Sequence, residues 1–169
     1  MDLGSGFVII RNFLTAQELE KCKTILLQMY HGRKLKYEAD MPHYKESFGG
    51  DHDYYEGLLK TKWQFIQNLV SFPVKPENSY ARIYRNGGVL KPHVDRPPLD
   101  ITCSISLGGN LDEEWPICLI DLQGQTRCER IVEGDAIIFL GNRMQHWREE
   151  LKCRPDQYTL KLFLHWVRS

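Results

Sequence analysis

The sequence has no excess of either charge: Lys plus Arg number 22 and Asp plus Glu number 22, for a formal net charge of +0. A neutral chain presents no field that would draw it to a polyanion, so no nucleic-acid partner is expected. No run approaches the ~20 apolar residues of a membrane span, and no membrane partner is expected either. The first stretch, Met-Asp-Leu-Gly-Ser-Gly-Phe-Val-Ile-Ile, has neither a basic start nor a long apolar core. A secretory leader is therefore not expected, and the reading is a cytoplasmic protein. No Cys-x-x-Cys occurs among the cysteines at 22, 103, 118, 128 and 153, and an odd number cannot all pair. Free thiols in a reducing compartment are the expectation.

What is present is ordinary globular material, 169 residues with 42% hydrophobic and 26% charged. That length suits one domain with a real core over residues 1–169. Phe7-Val8-Ile9-Ile10 reads as a short buried strand. Thr15 followed by Glu18 fits a capping box, with Leu14 and Leu19 as its hydrophobic staple. Leu19, Cys22, Leu26 and Met29 then recur at helical spacing to about Tyr30, one apolar stripe able to cover a sheet. Residues 31–56, with His31, His43, His52 and weak periodicity, read as a loop or lid whose histidines are surface groups. A second helix is expected over about Tyr54 to Val70, broken by Pro73 and Pro76. Residues 1–79 thus hold a strand, helices and a lid, and 80–167 hold a β core.

From Tyr80 onward the pattern is all β. Tyr80 to Gly88 is a strand ending in a Gly-rich turn, with Tyr80, Arg82 and Tyr84 on one face. Asp100 to Gly109 alternates strictly, placing Thr102, Ser104 and Ser106 together; in a closed barrel that polar face lines the cavity. Residues 115–122 and 127–132 form a hairpin around Gln123-Gly124-Gln125. Glu133-Gly134-Asp135 is a turn into a buried strand ending at Leu140. The last strand, Tyr158 to Val167, turns Leu160, Leu162 and Leu164 one way and Thr159, Lys161, Phe163 and His165 the other. A lysine and a histidine among large apolar residues suit a strand facing something anionic, although His165 taken alone reads as a satisfied core histidine.

The candidate chemistry sits in Lys91-Pro92-His93-Val94-Asp95-Arg96. In extended chain, His93 and Asp95 project to one side and Val94 to the other. His146, in Met144-Gln145-His146-Trp147-Arg148, adds a second imidazole from a distant strand. Two imidazoles and one carboxylate on one face of an octahedral ion are the donor set of non-haem Fe(II) oxygenases. His-x-Asp alone recurs by chance; its bland reading is a rim turn, with His146 bonded to a backbone carbonyl. Arg96 is placed to meet an anionic substrate at a pocket mouth, or to form a rim salt bridge.

The order of strand, Gly turn, His-x-Asp, strand, Gly-Asp turn, strand, His and final strand resembles the 2-oxoglutarate- and Fe(II)-dependent dioxygenases, in their prolyl-hydroxylase-like branch. The resemblance runs in detail over residues 80–167 and loosely over the first thirty. It implies an α+β, mainly β fold with a double-stranded β-helix (jelly-roll, cupin-like) core and N-terminal helices on the major sheet. It implies Fe(II) on His93, Asp95 and His146, with 2-oxoglutarate and O2 as cosubstrates. Tyr84 lies near where relatives carry a tyrosine that reaches the cosubstrate, and Ser104 is a lining hydroxyl. For the far carboxylate of 2-oxoglutarate the sequence offers Lys161, favoured by its position fifteen residues after His146, or Arg148; there is no Arg-x-Ser motif. Arg96, Arg82 and Thr102 fall to the substrate. The activity implied is oxidation, by default hydroxylation, of a C–H bond in a small metabolite or natural-product intermediate, with release of succinate and CO2. Two other readings stand beside it, a protein side-chain (prolyl-type) hydroxylase and a non-catalytic β-barrel that binds a ligand.

Overall fold

The computed structural model describes residues 3–37 and 43–169. Residues 38–42, in the middle of the stretch expected as a lid, lie outside the described residues. The fold is two antiparallel sheets facing each other, with helices on the outside of the larger one. In chain order the elements are β1 (Phe7–Ile10), α1 (Ala16–His31), β2 (Lys36–Tyr37), β3 (His43–Tyr44), β4 (Ser47–Gly50), α2 (Asp53–Thr61), α3 (Trp63–Gln67), β5 (Val74–Arg85), β6 (Val89–His93), β7 (Leu99–Gly109), β8 (Ile117–Ile120), β9 (Thr126–Glu129), β10 (Ala136–Phe139), β11 (His146–Arg148) and β12 (Tyr158–Arg168). The major sheet runs β1-β10-β7-β12-β5-β4-β2 and the minor sheet β3-β6-β11-β8-β9. This is the double-stranded β-helix that the family resemblance implied.

Helix α1 begins as its sequence dictates. The Thr15 hydroxyl accepts the Glu18 N–H while the Glu18 carboxylate accepts the Thr15 N–H, satisfying two of the donors a helix start leaves free. Its buried residues Cys22, Ile25 and Leu26 join one core cluster with Leu160, Leu162 and Leu164 of β12 and Ile101, Cys103, Ile105 and Leu107 of β7. Each such aliphatic side chain, fully buried, contributes about 1.5–3 kcal/mol relative to exposure. The apolar face of the major sheet is thereby closed by helices. Its other face is committed to the space between the sheets.

Three expectations are corrected. The stretch read as loop or lid contributes strands to both sheets: β4 pairs with β5, β2 with β4, and β3 with β6. Within that stretch, His52 is an exposed residue whose ring Nδ1 accepts the Tyr54 N–H and caps α2. The single helix expected over Tyr54 to Val70 is two short ones, divided at Lys62, whose ammonium reaches the Phe13 carbonyl at 3.0 Å and the Glu18 carboxylate at 2.8 Å. The cysteines are not all free. Cys118 and Cys128 stand opposite each other in the β8–β9 hairpin, 4.0 Å apart at Cα, and form a disulfide, while Cys22, Cys103 and Cys153 remain thiols. Among the described residues, no helix is long and apolar enough to cross a membrane.

The inner face of the major sheet is ordered in rows by strand register. One row is Thr102, His165 and Asn78 on β7, β12 and β5; the next is Ser104, Phe163 and Tyr80; the third is Ser106, Lys161 and Arg82. Successive rows lie about 7 Å apart along the strands.

Candidate metal centre and its cavity

His93 ends β6 and His146 begins β11, and the two are direct cross-strand partners. Their ring centroids lie 4.3 Å apart. A shift of register between His146 and Arg148 marks a bulge in this pairing, on the segment holding Pro92. Proline has no ladder donor and is accommodated at such an irregularity, which also re-aims neighbouring side chains. Asp95 follows on the loop, where its N–H is fixed to the Gly141 carbonyl at 2.9 Å.

Each histidine is oriented from behind. His93 Nδ1 lies 2.7 Å from the Lys91 carbonyl and His146 Nδ1 lies 2.8 Å from the Met144 carbonyl. A carbonyl only accepts, so Nδ1 carries the proton in both rings and the Nε2 lone pairs face forward. The bland reading, a histidine bonded to a backbone carbonyl, is thus half of the arrangement; the other half is the free nitrogen. His93 Nε2 and His146 Nε2 stand 3.5 and 3.4 Å from Asp95 Oδ1. The donor atoms of His93, Asp95 and His146 all lie within 4.8 Å of one another, the kind of cluster that holds a metal ion.

The second Asp95 oxygen, Oδ2, accepts the Thr102 hydroxyl, which leaves Oδ1 turned toward the rings. A Cβ at Gly141 would overlap both Thr102 Oγ1 and Asp95 Oδ2, so the absence of a side chain there is required for this packing. Burial alone would raise the Asp95 carboxyl, but the adjacent His146 and His93 rings and the Thr102 hydroxyl it accepts hold it well below the usual carboxylate range. It is therefore ionised, as a metal ligand must be. His146 is buried, with the Phe139 ring edge-on at 4.7 Å, while His93 is more open.

These three donor groups open onto a cavity of about 500 Å³. Its walls include Thr102, Ser104, Arg82, Arg96, Asn78, Tyr80 and His165 among polar groups, and Leu90, Leu99, Ile117, Phe139 and Phe163 among apolar ones. Of the sequence-derived candidates, His93, Asp95, Arg96, Arg82, Thr102, Ser104 and His146 line this cavity. Lys161, Arg148 and Tyr84 lie behind it, all fully buried. Lys161 Nζ donates to Ser106 Oγ at 3.1 Å and pairs with Glu114 at 3.5 Å. Arg148 donates to the Trp115 carbonyl at 2.7 Å and, through NH2, to Ser104 Oγ at 3.5 Å, while its Nε has no partner among the described residues. Tyr84 packs edge-on to Trp115 at 4.9 Å. Burial pushes Lys161 down to about 7 and Arg148 down to about 10.

The residues missed from the sequence are Asn78, Gly141 and, as a cavity residue, His165. Asn78 shares strand parity with Tyr80 and Arg82, but the expected strand begins only at Tyr80, after the helix-breaking Pro73 and Pro76. Because β4 covers β5 only from Ala81 to Tyr84, Pro76 sits where β5 is an edge, and it also falls at the register shift between His165 and Trp166; both settings let a strand tolerate proline.

No family model matches the sequence, and no curated protein matches it. Solved structures do match in fold, and that fold is the one shared by the 2-oxoglutarate/Fe(II) oxygenases. A prolyl-4-hydroxylase from Pseudomonas putida superposes with a TM-score of 0.80 at 13% identity, covering 98% of this chain and 94% of that one. HygX from Streptomyces hygroscopicus, crystallised with nickel, 2-oxoglutarate and hygromycin B, gives 0.73 at 11% identity over 98% and 84%. A Trichoplax adhaerens prolyl hydroxylase in complex with a hypoxia-inducible-factor peptide gives 0.74 at 14% identity over 97% and 84%.

Proposed function

We propose that this protein is a non-haem Fe(II)- and 2-oxoglutarate-dependent oxygenase acting on a small molecule. The observation that carries the reading is the convergence of two presented Nε2 lone pairs and one ionised Asp95 oxygen at the wall of a cavity. Three protein donors on one side of an octahedral ion leave positions for a chelating 2-oxo acid and for O2. When bound, Fe(II) supplies oxidation of a C–H bond by O2, coupled to conversion of 2-oxoglutarate to succinate and CO2.

The chain's own residues divide the remaining work. Lys91 and Met144 carbonyls fix the ring tautomers, Thr102 fixes the carboxylate, and the apolar wall of Leu90, Leu99, Ile117, Phe139 and Phe163 limits water around the reacting carbon. We assign the far carboxylate of 2-oxoglutarate to Arg148 and Ser104. Ser104 lies one row, about 7 Å, beyond Thr102, and Arg148 holds an unpartnered buried Nε on the same edge as the NH2 that reaches Ser104. Two adjacent guanidinium donors suit a carboxylate. Lys161, favoured by its place in the sequence, already pairs with Glu114.

A small molecule is preferred to a peptide because the ligands face into a cavity of about 500 Å³, the size of small-molecule pockets. The known structures of this fold include both kinds, HygX with hygromycin B and the Trichoplax enzyme with a peptide. The test is succinate formation and O2 consumption by the chain with Fe(II) and 2-oxoglutarate, screened against metabolites and proline-containing peptides. Metabolite-stimulated turnover that disappears in His146→Ala is expected. Turnover stimulated by peptides alone overturns the substrate class, and binding without succinate leaves a ligand-binding barrel.

A further inference from the structure

The polar end of the cavity carries more than the metal ligands need. In the Thr102–His165–Asn78 row, Thr102 is engaged by Asp95, but His165 Nδ1 and Asn78 Oδ1 are buried and have no hydrogen-bond partner among the described residues. Both residues line the cavity. Native structures rarely leave such atoms orphaned, since each costs about 1–3 kcal/mol without a partner. Burial pushes the His165 ring down from its ordinary value, against the opposing pull of Asp95 and the Asn78 main chain. A neutral ring keeps one nitrogen as an acceptor. Asn78 Oδ1 is an acceptor as well, so the row presents two acceptors one strand away from Thr102 and the metal site.

The opposite polarity sits at the rim. Arg96 is exposed, lines the same cavity and makes no ion pair among the described residues. It is near enough for its charge to act on His165. A ligand that satisfies both ends carries an anion for the guanidinium and a hydrogen-bond donor for the acceptor pair, joined by an apolar chain over the Phe139 and Phe163 wall.

We infer that His165 and Asn78 form a substrate-reading subsite, and that the substrate is a small amino or hydroxy acid whose ammonium or hydroxyl lies on this pair while its carboxylate meets Arg96. This deepens the oxygenase reading and rests on it for the word substrate; the subsite itself is a binding claim.

The test is equilibrium binding to the full chain, followed by ligand NMR, with butyrate, γ-aminobutyrate, γ-hydroxybutyrate and butylamine, each with its longer homologues. The amino and hydroxy acids bind roughly three- to tenfold more tightly than the plain carboxylate, the value of a hydrogen bond. That advantage disappears in His165→Phe and in Asn78→Leu, survives in part in His165→Asn, and Arg96→Ala weakens all three carboxylates while sparing butylamine. Equal binding of butyrate and its substituted relatives, an advantage that persists in both His165→Phe and Asn78→Leu, or no binding of any probe overturns the subsite. Fe(II) uptake by the unmodified chain is measured alongside. Failure there with discrimination intact removes the oxygenase and leaves the subsite standing.

Discussion

At the candidate metal centre, beside the Thr102–His165–Asn78 row, donor groups face an open cavity and are fixed from behind, the His93 and His146 rings by main-chain carbonyls and the Asp95 carboxylate by the Thr102 hydroxyl. Two rows deeper, Lys161 is sealed from solvent and closed on itself, with Ser106 and Glu114 as its partners. Strands β7 and β12 reach both ends, through Thr102 and His165 at one and Ser106 and Lys161 at the other. The difference shows that exposed valence, rather than charge, marks where a ligand belongs: the more strongly charged end is satisfied and the metal end is not. Arg148 stands between, bonded to Trp115 and Ser104 but with its Nε left over.

The comparison breaks most severely at Gly141. Gly141→Ala places a methyl where Thr102 and Asp95 meet, so the carboxylate must turn from the rings. Loss of such support costs metal sites about 10- to 100-fold in affinity, and Fe(II) titration should show a fall of that size with helical and sheet content unchanged. An unchanged affinity would place the metal elsewhere. A smaller effect sharpens the middle ground. Arg148→Gln should raise the KM for 2-oxoglutarate by about tenfold, the value of a charge-assisted hydrogen bond, while Lys161→Met leaves it within about threefold. The reverse order assigns the cosubstrate to Lys161.

The smallest effect concerns stability. Burial pushes the Lys161 ammonium down to about 7 from an ordinary 10.5. Between those values the unfolded chain holds a proton that the folded chain has released, so this lysine makes stability rise with pH across that window and contributes no slope outside it. Denaturant midpoints for the unmodified chain and Lys161→Met, compared from about pH 6 to 10, should therefore converge toward the upper end if the buried charge is the cost. Parallel profiles would show that Glu114 keeps Lys161 charged throughout.

The strand framework was legible because alternation in β7 and β12 is strict, with Thr102, Ser104 and Ser106 in one and Thr159, Lys161, Phe163 and His165 in the other on one face, and leucine, isoleucine or cysteine on the opposite face. The closeness of His93 and Asp95 was legible for a like reason, since two positions of extended chain turn their side chains to one side. The depth of each group in the fold was not. Lys161 and Arg148 both point inward by parity, and only packing shows that Glu114 has taken one of them. Asn78 was hidden by Pro76, which composition treats as a breaker and an exposed sheet edge does not. The disulfide was within reach of the sequence, since residues 118 and 128 are symmetric about Gln123 in the hairpin already expected there; the cysteine count alone pointed the other way. Gly141 reads in the sequence only as a turn residue beside Asn142, because its role in the site is the space it leaves.

One rung of the minor sheet joins His93 to His146. A slip of β6 against β11 by a single residue would turn one imidazole to the far side of the sheet and leave the other facing inward alone. The spacing of the two nitrogen donors is thus written in main-chain pairing, and a partly misregistered chain has no weakened version of the centre to fall back on. On the proposed reading, iron binding would report on strand alignment, present when the ladder has closed correctly and absent when it has not.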